Sequence, residues 1–277
     1  LLTTTSLVLA AGVAQADVTF SGKGEVSVAQ ADGNGTMSVR SGYDLNVAVS
    51  GASDTGITYS MGFDMGAGHL IDYNDDYAID EQAEEIGTSA VTIGYGGVTI
   101  VAGQDKSDDL YDDTQNGDIA ISGAFGGLNF AAVLDTDSGA TSNSFSLSGS
   151  ATDVTWSLVS TDADDAGNAA AKVTVGYTVS DALSMSVKHD NKGASAAINT
   201  VSATYTMGAL TLTASADDNN DNDFGVGYTA GPLAIAYSTD EEDAWDFNAT
   251  YNLGGGAQAF ASTNSSEFAA VGMSFAF

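Results

Sequence analysis

The chain has no cysteine, a single proline (Pro232) and only six lysines and arginines. Without cysteine there are no disulfides and no thiolate metal centres, which suits an oxidising compartment. Against those six basic residues stand 37 acidic ones, for a formal net charge of −31. No basic patch can be built from that count, so nucleic acid is excluded as a partner. No apolar run is long enough for a transmembrane helix, and no stretch carries a convincing helical period. His69 and His189 lie far apart, and no Ser–His–Asp arrangement stands out. The chain therefore reads as neither an enzyme nor a metalloprotein.

What is present is a two-residue period. In "DVTFSGKGEVSV", Val18, Phe20, Val26 and Val28 share one frame, while Thr19, Ser21, Lys23, Glu25 and Ser27 share the other. The same alternation recurs down the chain in eighteen segments, at about 18–29, 36–50, 56–66, 88–96, 98–105, 118–126, 128–135, 143–150, 154–161, 170–179, 183–190, 198–207, 210–217, 223–230, 233–239, 244–253, 257–263 and 268–277. Alternation of this kind predicts half-buried β-strands. Merging one hairpin would reduce the count to 16. The stretch 67–87 is expected to be a loop with room for one helical turn.

The connections alternate too. Short Gly- or Asp-containing turns, such as 96–97 and 126–127, follow one strand, and longer, mostly acidic connectors follow the next. In a meander this places all short turns at one end and all long loops at the other, as in outer-membrane barrels. A soluble sandwich would also alternate, but its Greek-key crossings would mix the turn lengths. Its core would favour Leu, Ile and Val, whereas here the apolar frame is rich in rings, among them Tyr43, Trp156, Tyr177 and Phe275. Rings near strand ends fit the aromatic belts of a membrane interface. The other frame holds Ser, Thr, Asn, Gly and Ala, together with Lys23, Arg40, Lys172 and Lys188. A basic group facing lipid costs about 2–4 kcal/mol at mid-bilayer, so its confinement to the polar frame supports a wetted interior. With no helices to span lipid, only closure satisfies every backbone group. The expectation is an all-β fold: a closed antiparallel up-and-down transmembrane β-barrel of 16–18 strands, with short periplasmic turns and longer external loops.

The front, "LLTTTSLVLAAGVAQA", is uncharged and ends in Ala14-Gln15-Ala16. It reads as a signal peptide over 1–16, truncated at its front, leaving a single barrel domain over 17–277.

The hairpin "AVTIGYGGVTIVAGQDKSDDLYDD" and the final stretch "YNLGGGAQAFASTNSSEFAAVGMSFAF" resemble the Gram-negative general diffusion porins. The resemblance is close over about 90–113 and 251–277 and holds at the level of pattern elsewhere. It implies a water-filled channel in the outer membrane of a Gram-negative bacterium, for passive diffusion of small hydrophilic solutes and ions. It also implies a homotrimer set in lipid and lipopolysaccharide, with a third loop folded into the lumen. Carried onto this chain, that loop is about 105–117. It would offer Asp105, Asp108, Asp109, Asp112 and Asp113 as the acidic side of a constriction, facing Lys23, Arg40, Lys172 and Lys188 as the basic wall. Phe277, with Phe275 in frame, matches the terminal aromatic strand that the barrel-assembly machinery reads in that family.

Acid-rich pores favour cations, so cation preference is expected. The alternatives are a secreted structural or adhesive β-protein without a pore, and a substrate-specific channel; no aromatic track is visible in the lumenal frame. No cofactor is expected beyond weak Ca²⁺ at the acidic external loops. The run 72–85 begins like an EF-hand with Asp72, Asn74 and Asp76, but has Tyr77 where glycine is needed and Ala83 where the bidentate glutamate belongs.

Overall fold

The structure, a computed structural model, describes residues 16–31, 35–84, 86–87, 89–137, 142–164, 167–193 and 195–277. The expected signal peptide therefore lies, up to residue 15, outside the described residues. No helix occurs among them.

Nineteen strands follow in order: β1 (Ala16–Gln30), β2 (Ser38–Ala52), β3 (Thr58–Asp72), β4 (Ala78–Glu81), β5 (Val91–Tyr95), β6 (Val98–Asp108), β7 (Asn116–Phe125), β8 (Leu128–Leu134), β9 (Ser144–Ala151), β10 (Val154–Thr161), β11 (Ala170–Ser180), β12 (Leu183–Asp190), β13 (Ile198–Met207), β14 (Leu210–Asp217), β15 (Asn222–Ala230), β16 (Leu233–Asp240), β17 (Trp245–Gly254), β18 (Ala257–Asn264) and β19 (Ala269–Ala276). All the strands pair antiparallel with sequence neighbours; β4 pairs with β3, and β3 also pairs with β5 past that short strand. The ring closes where β1 pairs with β19, from Lys23 opposite Ala276 to Gln30 opposite Ala269. The result is a closed barrel of eighteen strands. Closure removes the sheet edge, which in lipid would leave backbone donors and acceptors unpaired.

The two frames separate as the sequence alternation requires. On β11, Val173, Val175 and Tyr177 are exposed on the outside, Val175 at 46%. Tyr43 and Phe275 are 45% and 43% exposed rather than buried in a shared interior. The interior near the short-turn end holds a hollow of about 640 Å³ lined by polar residues that include Asp17, Ser50, Thr58, Ser60, Thr92 and Thr99. The tight turns need left-handed backbone, which explains their glycines: Gly96 and Gly97 have φ of 60° and 85°.

The stretch 67–87 is a correction. In place of a helical turn, β3 continues to Asp72 and returns as β4, with Leu70 opposite Asp80 and Ile71 opposite Ile79. β6 likewise runs on to Asp108, through a register break between Ala102 and Ser107. Asp105 lies in that break with φ of 52°. The connector expected over 105–117 thus shortens to 109–115.

Candidate functional site: two segments against the lumenal wall

Inward-facing residues can be solvated, or they can be covered by chain that leaves the ring. The described structure shows two places where they are covered.

The first is the β3–β4 hairpin. Its base is buried on both faces, with Leu70 at 8% and Ile71 at 1% exposure. Ile71 packs with Ala29 of β1, Phe260 of β18, Ala270 of β19 and the connector residue Phe268; Tyr73, Tyr77 and Ile79 complete the cluster. Tyr73 stacks on Phe260 with ring centroids 4.2 Å apart and planes 11° from parallel. Its hydroxyl accepts a bond from Gln258 Nε2 at 2.6 Å, and its carbonyl accepts one from Ser262 Oγ at 2.7 Å. Ile71 N–H donates to Glu25 Oε1 at 3.0 Å. Among the described residues, Glu25 Oε2 has Lys23 Nζ, 3.0 Å away, as its counter-group. Tyr77, at φ of 54°, meets Phe268 edge-on at 5.9 Å. Burial pushes its phenol above the ordinary value, opposed by a hydrogen bond with Asn248. The EF-hand-like start makes a turn instead: Asp72 Oδ1 accepts from the N–H groups of Asn74 and Asp75.

The second is the β6–β7 connector. Leu110 N–H donates to Ser144 Oγ of β9 at 2.9 Å. Tyr111 Oη donates to Asp190 Oδ1 of β12 at 2.6 Å, and Lys172 Nζ of β11 donates to the Tyr111 carbonyl at 2.7 Å. Burial, then the Asp190 hydrogen bond and charge, push the Tyr111 phenol well above the ordinary tyrosine range, so it remains the donor. A cleft of about 330 Å³ lies here, lined by Tyr111, Asp112, Asp113, Lys172, Asp190 and Lys192.

The five acids expected at a constriction do not act alike. Asp105 and Asp108 are exposed on β6. Asp109 is buried at 5%. Its Oδ1 accepts from Tyr111 and Asp112 N–H, and its Oδ2 from Ser142 Oγ, so it shapes the connector. Asp112 accepts from Thr114, while Asp113 is exposed. These last two line the cleft.

The four basic residues all lie in the inward frame but not on one wall. Lys23 and Arg40 lie on neighbouring β1 and β2, Lys172 and Lys188 on neighbouring β11 and β12. Counting strands around the ring, β1 and β11 are nine steps apart in either direction, so the two pairs are diametrically opposed. Arg40 Nε is buried and has no hydrogen-bond partner among the described residues. Lys188 lies between Thr174 and Thr200 on the adjacent strands.

Sequence reasoning missed the hairpin contacts of Tyr73, Phe260 and Glu25, and the role of Asp190. A signal existed for Phe260: it shares its frame with Gln258 and Ser262, whereas Ala259 and Ala261 occupy the outer frame. A large ring among small polar groups, opposite alanines, marks an inner face that something covers. Phe277 pairs with Gly22 through two backbone bonds, Gly22 N–H to Phe277 O at 3.0 Å and Phe277 N–H to Gly22 O at 3.1 Å. Phe275 lies opposite Gly24 in the closing ladder.

A closed, outwardly apolar ring with a polar interior and inward-folded chain defines a membrane channel barrel. A model of the Gram-negative porin family matches residues 3–272, and the chain belongs to that family. It is an outer-membrane channel, not the pore-less secreted protein held as an alternative. Its structure is similar to that of an engineered double mutant of the Rhodopseudomonas blastica porin, with 15% identity and a TM-score of 0.56, over 94% of this chain and 100% of that one. A triple mutant of the same porin matches at 16% identity and a TM-score of 0.55, over 95% and 100% of the two chains. No curated protein sequence matches the chain.

Proposed function

We propose that this porin passes small hydrophilic solutes and ions down their concentration gradients, with a preference for cations. The observation that carries the reading is the closed ring itself. Its interior hollow is lined by serines, threonines and an aspartate, and its apolar side chains face outward. The fixed charge of the chain is strongly acidic, and acids such as Asp112 and Asp113 border the cleft under the β6–β7 connector. Acidic groups around a passage concentrate cations and repel anions. A substrate-specific channel is less well supported, because Tyr73 and Phe260 are spent on each other and do not form an open track.

The same reading includes a homotrimer, in contact with lipid and lipopolysaccharide and inserted by the barrel-assembly machinery. An apolar outer groove of about 370 Å³ over β1, β2 and β19, lined by Val26, Val28, Val39, Val271 and Met273, is a surface where copies would meet. Ca²⁺ would associate weakly with the acidic external connectors. The test is a planar-bilayer recording under a salt gradient. A reversal potential of cationic sign is expected, and one of anionic sign refutes the selectivity.

A further inference from the structure

Resting on the channel reading above, we infer that Lys23 and Lys172 are positioning residues: each pins one inward segment through a tyrosine, and the two clamps together set the width of the passage and mask two of its inward positive charges.

The two arrangements repeat one chemistry at opposite points of the ring. In the first, Lys23 Nζ lies 5.4 Å from the centroid of the Tyr73 ring and 3.0 Å from Glu25 Oε2. Glu25 holds the hairpin through Ile71 N–H. In the second, Lys172 Nζ lies 4.6 Å from the centroid of the Tyr111 ring and donates to the Tyr111 carbonyl. Asp190 is the register partner of Lys172 across the ladder and accepts the Tyr111 hydroxyl. Lys192 Nζ adds to this carboxylate at 3.7 Å. Each clamp is thus a wall lysine, a tyrosine from an inward segment and a wall carboxylate.

The arrangement has two consequences. An ammonium beside a carboxylate and an aromatic face is compensated, so a passing anion meets a local dipole rather than a free positive charge. The clamps also hold the segments away from the centre line, since each tyrosine is tied back to the wall. The solutes favoured are small cations and small neutral polar molecules, with anions disfavoured and size limited by the gap between the segments.

The test uses the full chain reconstituted in liposomes and in planar bilayers, with neutral saccharides of graded size as probes of width. The variants are Lys172→Met, Lys172→Arg and Tyr111→Leu, with the matching set at Lys23 and Tyr73. Loss of a clamp is expected to raise the released population of its segment about tenfold. This is read as slower entry of the larger saccharides, because a freed segment reaches toward the centre line, and as noisier open-channel current. Tyr111→Leu changes no charge, so it should narrow the passage while leaving the reversal potential in place. Lys172→Arg keeps both the charge and the ring contact and should restore the wild-type cut-off. The inference is overturned if Lys172→Met shifts the reversal potential while the cut-off stays fixed, or if Tyr111→Leu leaves cut-off and noise unchanged. Should a methionine variant fail to form a barrel, Tyr111→Leu, which alters no strand residue, decides alone. Absence of any conductance in the wild-type protein would instead refute the channel reading itself.

Discussion

The ring of Tyr73 lies flat on that of Phe260, 4.2 Å away, although the two residues are 187 positions apart in the chain. This contact ties the hairpin tip to β18, and with it the Ile71–Phe268 cluster that covers the wall there. Phe260→Ala removes a ring that is 97% buried and leaves Tyr73 without its platform. The loss is expected to be about 3–5 kcal/mol. Urea unfolding in detergent micelles, followed by tryptophan fluorescence, should show a lower midpoint, with the heat-modifiable band on gels shifting at lower temperature.

Closure of the ring depends on a close approach at Gly22. A Cβ there would collide with the Asp44 carbonyl oxygen and lie 2.9 Å from the tip of the Phe277 ring. Gly22→Val should therefore force β1 away from β2 or from the chain around Phe277, at a cost of about 1–3 kcal/mol. The expected readout is a lower folded fraction on refolding into detergent or lipid. Gly24→Val is the control, because a Cβ at Gly24 meets nothing within 4 Å.

Neighbouring residues on β11 should respond in opposite ways. Val175→Lys puts an ammonium in lipid and is expected to cost about 2–4 kcal/mol, measured by equilibrium refolding into liposomes. Thr174→Lys, one residue earlier and inward, should fold with little loss. Its reversal potential should move toward anions.

Most of the ring was legible in the sequence because a barrel wall reads as strict alternation with its own punctuation. Val173, Val175 and Tyr177 alternate with Lys172, Thr174 and Gly176, and the glycine turns at 96–97 and 126–127 supply the left-handed backbone that tight hairpins need. Chain that leaves the ring obeys no such period. The hairpin 69–81 takes hydrogen bonds with Glu25 and Ser262, 46 and 189 residues from their partners, and such contacts leave no local pattern. The polar frame grouped the lysines together, but frame alone does not say what covers them. Their division between opposite arcs follows only from counting strands around the closed ring.

Neutralising the acids that border the cleft tests selectivity directly. Asp112→Asn together with Asp113→Asn removes two negative charges from the lining shared with Lys172 and Lys192. The reversal potential in a salt gradient should fall toward zero, and the effect should fade at high salt as screening shortens the reach of the charges.

The whole account rests on a sheet that turns its apolar side to lipid and its polar side to water. The absence of native cysteine makes this measurable with single cysteines and a membrane-impermeant thiol reagent on reconstituted channels. Ser202 and Val201 are neighbours on β13, facing inward and outward respectively. The account predicts that Ser202→Cys reacts and its current falls, while Val201→Cys stays unmodified until a lipid-soluble reagent is added. Rapid reaction at Val201→Cys with protection at Ser202→Cys would contradict it.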